Sequence, residues 1–118
     1  MKNDLKQKIS SINGVNFLAE ELKVDDTKAV KNLVFQLEKE IGNAFIVLGL
    51  VSDDKPQLMV AISENLVKEK NLHAGNIVRE LAKLINGGGG GQPFFATAGG
   101  KKVEGIREAL SKAKTFIS

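Results

Sequence analysis

The chain contains one segment of eight residues without any polar side chain, and this segment most limits how the chain can fold. It runs from Ala44 to Val51 and is rich in β-branched and large apolar residues. Such a run is typical of a central β-strand covered on both faces, whereas a strand with one solvated face alternates polar and apolar residues. A membrane-spanning helix needs roughly 20 apolar residues, so this run is far too short for one. The segment therefore predicts a sheet with a buried central strand.

Two turn signals predict antiparallel hairpins in the first half of the chain. Asn13-Gly14 stands between apolar residues, which is the strongest short-range hairpin signal, and predicts strands at 9–12 and 15–22. Residues 52–57 include Asp-Asp-Lys-Pro and predict a turn that returns the chain into a neighbouring strand at 58–62. The sheet is therefore expected to have an antiparallel component.

Three segments have apolar residues at the period of an amphipathic helix. They are residues 27–41, 73–86 and 103–117. Asp25 or Asp26 can cap the first helix. Gly42 is expected to end the first helix and Gly87 the second, as C-terminal glycines commonly do. The pattern predicts an α/β (α+β) fold: a small mixed sheet with antiparallel hairpins, packed against about three helices, with a glycine-rich loop before the last helix.

The length and composition fit one folded domain. The chain has 118 residues, of which 42% are hydrophobic and 26% charged, so it can bury a core without disulfides or metals. Residues 1–10 are interpreted as the end of a preceding helical segment, and residues 11–118 as the domain itself. The N-terminus is charged and polar and does not resemble a signal peptide, so we expect a cytoplasmic location and no membrane partner.

The chain offers few residues for catalysis or metal binding. It has no cysteine and a single histidine, His73, which excludes disulfides, thiolate metal sites and multi-histidine metal sites. His73 lies at the start of the second predicted helix, where capping or packing is the expected role. Asp53-Asp54 lies in a predicted turn and is expected to be solvated rather than a catalytic pair. We therefore predict no catalytic and no metal-binding residue.

The segment from Asn86 to Lys102 is the strongest candidate for a binding site. Seven of the twelve glycines lie between positions 87 and 100, and successive glycines let backbone N–H groups converge on an anion as a nest. The positive excess of the chain also lies after Asn86, with five basic and two acidic side chains. A helix start near Val103 adds N–H groups that favour negative charge. The predicted RNA- or anion-binding residues are Gly87, Gly88, Gly89, Gly90, Gly91, Gln92, Phe94, Gly99, Gly100, Lys101 and Lys102.

Other interpretations of the glycine run stay open at this point. Five glycines in a row are also typical of a flexible connector, or of a loop that passes close to a helix. The run is not a Walker A loop, because no Gly-Lys-Ser/Thr follows at the proper spacing, and it follows a helix rather than the strand of a dinucleotide fingerprint. The basic residues would also suit an ordinary solvated helix face.

Phenylalanines mark two further candidate contacts. Phe35 falls on the polar side of the first predicted helix among three lysines, as expected of a surface for RNA or a protein partner. These lysines are Lys28, Lys31 and Lys39. The alternative is that the first hairpin or the N-terminal helix covers Phe35 and makes it core. Phe94 and Phe95 point to opposite faces of an extended segment, so one is expected in the core and Phe94 is the candidate contact, unless both are core.

Three motifs together resemble a known family. His73-Ala-Gly-Asn-Ile-Val-Arg-Glu-Leu-Ala82, the glycines followed by Gln92-Pro93, and Ala96-Thr-Ala-Gly-Gly-Lys101 are similar to the C-terminal globular domain of alanyl-tRNA synthetases. That domain belongs to the DHH-associated family, which DHH-type phosphodiesterases share. The resemblance runs from Ile12 to the last helix. In the phosphodiesterases a histidine that helps to bind substrate follows the glycines, whereas Gln92 stands here, as in the synthetases.

The resemblance implies a tRNA-binding module of a ligase rather than a nuclease fragment. It implies contact with the outer corner of tRNA(Ala), so that aminoacylation and editing in the parent enzyme act on one bound molecule. The parent enzyme would use ATP, Mg²⁺ and Zn²⁺ in other domains, and no cofactor is expected in this fragment. The implied partners are tRNA(Ala), the remaining synthetase domains and, through self-association, a second copy. The alternatives are the substrate-binding domain of a DHH-type phosphodiesterase and a dimerisation module.

Overall fold

The computed structural model describes residues 2–117 and contains one six-stranded sheet with helices on both faces. Met1 and Ser118, at the outer ends of the two predicted segments, lie outside the described residues. The strands are β1 (Ser10–Ile12), β2 (Val15–Lys23), β3 (Ala44–Ser52), β4 (Lys55–Ile62), β5 (Gly88–Gly91) and β6 (Phe95–Gly99). They lie in the order β1-β2-β3-β4-β6-β5, and every neighbouring pair is antiparallel except the parallel pair β2–β3. The predicted mixed sheet is confirmed.

Each face of the sheet is covered by its own group of helices. The helices are α1 (Lys2–Lys6), α2 (Thr27–Ile41), α3 (Glu64–Glu69), α4 (Ala74–Ala82) and α5 (Ile106–Ala113), with 3-10 turns at Lys83–Ile85, Val103–Gly105 and Lys114–Phe116. α1 and α2 bury apolar side chains on one face, and α3, α4 and α5 on the other. β3 lies between the two clusters and is buried over residues 44–50, as its composition predicts. α3 was not predicted, because six residues are too few to show a helical period. Among residues 2–117, no helix has the length and apolar character needed to cross a bilayer.

The hairpin turns have the backbone that their sequences predict. φ is 51° at Asn13 and 79° at Gly14 in the β1–β2 turn, and 52° at Asp53 and 61° at Asp54 in the β3–β4 turn. Left-handed backbone at both central residues suits the twist of a two-residue hairpin. Asp53 and Asp54 are exposed, which confirms that they form a solvated turn. Gly42 ends α2 with φ of 68°, as predicted.

Both predicted N-terminal helix caps are confirmed, and one predicted C-terminal cap is wrong. Asp26 Oδ1 accepts N–H groups from the first turn of α2, and His73 Nδ1 accepts the N–H of Asn76 at 3.1 Å at the start of α4. Gly87 does not supply the left-handed residue that ends the second helix. Asn86 does, with φ of 53° and ψ of 51°, because asparagine tolerates this region through its short polar side chain.

Candidate nucleic-acid interface

The glycine run is an edge strand of the sheet rather than a loop around an anion. β5 pairs antiparallel with β6, with Gly88 opposite Gly99 and Gly91 opposite Ala96. Within the run only Gly91 has a positive φ, and its value of 158° is nearly extended. The predicted glycine-rich loop and its nest of several left-handed residues are therefore wrong. The sheet continues through the glycines.

The backbone donors of the glycine strand point to its two sides instead of to one centre. The N–H of Gln92 donates to the carbonyl of Phe95 at 2.8 Å. Since hydrogen-bonded pairs alternate along an antiparallel ladder, the N–H groups of Gly88 and Gly90 face β6 in the same way. The N–H groups of the intervening residues, Gly89 and Gly91, point to the outer edge of the sheet and do not converge on one anion.

The backbone after β6 is also engaged within the protein. Gly100 donates its N–H to Pro56 O at 3.1 Å, and Lys101 and Lys102 both donate theirs to Ile85 O at 2.8 and 2.9 Å. In the following 3-10 turn Gly105 is buried and Val103 half-buried, whereas Glu104 is exposed. Any contribution of Lys101 and Lys102 to binding therefore belongs to their exposed side chains.

Close packing explains the glycines at two positions of this strand, Gly89 and Gly91. A Cβ at Gly89 would lie 2.2 Å from Thr97 O and 2.6 Å from Ala98 Cβ, distances that real side chains do not adopt. Gly75 lets α4 approach β5 closely as well, because a Cβ there would lie 2.7 Å from Gly91 O. Of the interpretations that the sequence left open, the flexible connector is wrong and the close approach to a helix is confirmed.

A groove of about 470 Å³ opens on the α2 side of the sheet, because the two faces are covered unequally. α4 packs against β4, β5 and β6 on one face, whereas α2 on the other face packs mainly against β3 and β4. The start of α2 forms the wall of the groove, and β4, β6 and β5 form its floor. We call it the sheet groove. Its lining residues are Thr27, Lys28, Lys31, Gln57, Met59, Gly88, Phe95, Thr97, Ala98 and Gly99.

An aromatic pair lies at the sheet groove. The ring centroids of Phe35 on α2 and Phe95 on β6 are 4.8 Å apart, with a 40° angle between the ring planes. Lys31 Nζ lies 5.2 Å from the Phe95 centroid and 6.0 Å from the Phe35 centroid, within cation–π range. Phe35 is half-buried, and its ring partner is Phe95 rather than the first hairpin or the N-terminal helix that the sequence alternatives proposed.

Four exposed lysines lie at the sheet groove or directly after its floor strand. Lys28 and Lys31 line the wall, and Lys101 and Lys102 follow the Gly99 end of β6. None of them forms an ion pair with another residue in the range 2–117. The other basic residues of the last quarter lie on or just after α5, on the opposite face of the sheet. Only part of the excess positive charge of residues 87–118 therefore lies near the glycines. Two lysines of α2 add positive charge to the groove, which the distribution of charge along the sequence did not indicate.

The other predicted contacts lie outside the sheet groove. Lys39 is exposed near the end of α2 but does not line the groove. Phe94 is 43% exposed at the β5–β6 turn, whereas Phe95 is partly buried against the core, which confirms the expected division between the two rings. Gln92 acts structurally through its main chain, because its carbonyl accepts the N–H of Gly75 at 3.2 Å.

Sequence reasoning missed six of the ten groove residues: Thr27, Gln57, Met59, Phe95, Thr97 and Ala98. Gln57 and Thr97 are exposed on strands β4 and β6, and neither side chain makes a hydrogen bond within the described part of the chain. A polar residue between buried neighbours on an interior strand is the signal that could have identified them, since it marks a face without a helix.

The side chains of the groove suit binding of an anionic partner. Residues 2–117 contain no group of three or more His, Cys, Asp or Glu side chains that could hold a metal ion. The sheet groove combines two ammonium groups on its α2 wall with one aromatic ring, one amide and two threonine hydroxyls. This set suits an anionic partner with planar groups, because lysines neutralise phosphates and aromatic rings stack with bases.

The comparisons with known proteins agree with the motifs. The DHHA1 domain model matches residues 14–118. The alanine–tRNA ligase of Christiangramia forsetii is 56% identical over 118 residues, and that of Bacillus subtilis is 38% identical over 110 residues. These matches cover 99% and 93% of the chain but only 13% and 12% of the two ligases. The chain therefore spans about one eighth of the length of these curated relatives.

Two solved structures share the fold. The C-Ala domain of Aquifex aeolicus alanyl-tRNA synthetase superposes with a TM-score of 0.84 at 22% identity, covering 94% of this chain and 98% of that one. A DHH-domain member of the S1p family of ribosomal proteins superposes with a TM-score of 0.58 at 16% identity, covering 93% of this chain and 28% of that one.

The fold and these similarities define the class of protein: an α+β domain that is found as one part of larger tRNA ligases and DHH proteins. The chain belongs to the DHHA1 domain family. The predicted resemblance to alanyl-tRNA synthetases is confirmed by relatives whose similarity extends over nearly the whole chain.

Proposed function

We propose that the chain is the tRNA-binding domain of an alanyl-tRNA synthetase and that the sheet groove contacts the tRNA. The observation that carries the proposal is the pair of unpaired lysines, Lys28 and Lys31, on the wall of an open sheet floor. The similarity to alanine–tRNA ligases supports tRNA as the polyanion. The outer corner of tRNA(Ala) is the contact that the family resemblance implies.

The domain would act by positioning the tRNA rather than by chemistry. Its lysines would neutralise phosphates, and its rigid sheet would fix where the tRNA lies relative to the rest of the enzyme. The other synthetase domains would be its partners and would hold ATP, Mg²⁺ and Zn²⁺. We propose that the fragment itself holds no cofactor, catalyses neither aminoacylation nor deacylation, and works in the cytoplasm, where tRNA is charged.

A salt titration of tRNA binding tests this proposal. The dissociation constant for a tRNA(Ala) transcript would be measured at several salt concentrations for the natural chain and for Lys28→Gln/Lys31→Gln. The double variant should bind more weakly, and its slope of log affinity against log salt should fall by roughly one to two. Lys101→Gln/Lys102→Gln, measured alongside, tests whether the lysines after β6 add to the same surface.

The matched control is Lys68→Gln/Lys70→Gln, which removes the same charge from exposed positions on the other side of the sheet. It should change the slope less than the groove pair does. Equal effects of the two double variants would mean that only net charge matters, and the sheet groove would lose its assignment. Concentration-dependent self-association without any tRNA binding would favour the dimerisation module instead.

A further inference from the structure

Phe95 is the one aromatic side chain that lines the sheet groove, and a cation covers its ring. Lys31 Nζ lies 5.2 Å from the Phe95 centroid. Phe35 packs beside the same ring from the α2 side, with the ring centroids 4.8 Å apart. In the free protein the Lys31 ammonium thus covers the face of the Phe95 ring. The ammonium can move away from the ring, since lysine side chains are long and flexible.

The groups around this ring complement a nucleotide. Gln57 carries an amide and Thr97 a hydroxyl on the same floor, and neither bonds to a side chain or main chain in residues 2–117. An amide and a hydroxyl can each donate and accept, as the edges of nucleobases require. Lys28 completes the set as a second cation on the wall.

The dimensions favour one unpaired nucleotide over a duplex. A volume of about 470 Å³ lies within the range of roughly 300–1,000 Å³ that is typical of small-ligand sites. The floor from β4 to β5 spans two inter-strand spacings, about 10 Å, and the α2 wall rises by about one helix diameter, 10–12 Å. Bases inside a duplex are stacked on one another and present no free face, so only a splayed or terminal base can lie flat on a ring.

We propose that the sheet groove holds a single unpaired nucleotide of the bound RNA, with its base stacked on Phe95 in the place of the Lys31 ammonium. This inference rests on the proposed function and specifies the part of the RNA that the site recognises. On binding, Lys31 leaves the ring and pairs with a phosphate, while Gln57 and Thr97 contact the base edge. The bound segment is therefore read by stacking as well as by charge.

The first test uses NMR of the natural chain with a single-stranded RNA octamer. The chain has six phenylalanines and no tyrosine or tryptophan, so its aromatic signals are few. We expect intermolecular nuclear Overhauser effects between the Phe95 ring and base protons. Saturating binding of the octamer without such contacts would overturn the stacking.

The second test compares affinities for the octamer and for a twelve-base-pair RNA duplex. Phe95→Leu keeps an apolar side chain against the core but removes the flat ring, and should weaken octamer binding by about 5- to 10-fold. Its effect on the duplex should be below 2-fold. Phe116→Leu is the matched control, because Phe116 is also half-buried but belongs to the cluster on the opposite face.

The outcomes separate this inference from the proposed function. If Lys28→Gln/Lys31→Gln weakens both RNAs while Phe95→Leu affects neither, the groove binds phosphates and the stacking is refuted. If neither variant changes any affinity, the proposed function fails as well. If Phe95→Leu does not fold, Thr97→Val replaces it at an exposed position, and an unchanged octamer affinity for that variant would count against a bound base.

Discussion

Replacing single glycines of β5 by alanine tests whether this strand is held as tightly as the structure indicates. Gly88 and Gly89 are neighbours with different surroundings. A Cβ at Gly88 would have no atom within 4 Å, whereas a Cβ at Gly89 would lie 2.2 Å from Thr97 O. Neither residue has a left-handed φ, so alanine is conformationally allowed at both. The pair therefore isolates the effect of packing.

The expected change in the free energy of unfolding differs in sign between the two variants. Gly89→Ala forces β5 away from β6, which costs about 1–3 kcal/mol for overpacking and about 0.5–1.5 kcal/mol for each weakened ladder hydrogen bond. Replacing glycine returns about 0.4–1 kcal/mol through the unfolded state. The net loss for Gly89→Ala is about 2 kcal/mol. Gly88→Ala has only the stabilisation that comes through the unfolded state. Its free energy of unfolding should be unchanged or higher by up to about 1 kcal/mol.

Thermal and urea denaturation followed by circular dichroism would measure both variants. For a chain of this length 2 kcal/mol corresponds to a fall in Tm of roughly 8 °C, whereas Gly88→Ala should leave Tm unchanged or raise it by a few degrees. Equal Tm values for both variants and the natural chain would show that the glycines are a tether in solution. Equal losses at both positions would show that flexibility, not close packing, is what the glycines supply.

Two further substitutions have expected outcomes. Phe35→Ala should lower the free energy of unfolding in urea by about 1–2 kcal/mol, less than the 3–5 kcal/mol of a fully buried phenylalanine, because the ring is half-buried. It should also weaken RNA binding, because Phe95 loses its neighbour. Unchanged stability together with unchanged RNA affinity would contradict the ring contact. His73→Ala should lower the free energy of unfolding by about 1 kcal/mol through loss of the α4 cap, and His73→Asn should restore most of it, since asparagine also caps helices. If the asparagine variant is no more stable than the alanine variant, His73 does not stabilise the protein through the cap.

The elements that the sequence predicts best are those whose local chemistry decides their backbone. Asn13-Gly14 and Asp53-Asp54 form hairpin turns, and Asp26 caps α2, because each preference is satisfied by the residue and its immediate neighbours. The long apolar run becomes β3 because its short length and its β-branched and aromatic side chains favour a buried strand over a buried helix.

The glycine segment shows what local chemistry cannot determine. A glycine allows almost any backbone, so five in succession predict neither loop nor strand. Their conformation is decided by the packing of β5 against Gly75 of α4 and Ala98 of β6, which the glycines themselves do not encode. The sheet groove was only partly predictable for the same reason. Lys28 and Lys31 were identified on α2, but their meeting with Phe95 depends on which strands α2 leaves uncovered.

The strand order has a consequence for how the molecule assembles. The chain builds β1 to β4 and α2 from the first 62 residues, and β5 and β6 join that half through the single strand pair β4–β6. The sheet groove lies across this seam, since Lys28, Lys31 and Gln57 come from the first half and Phe95 and Thr97 from the second. If RNA occupies the groove as proposed, its binding energy would add to the resistance of the β4–β6 amides to hydrogen exchange. RNA binding in the groove and separation of β4 from β6 would then be thermodynamically linked.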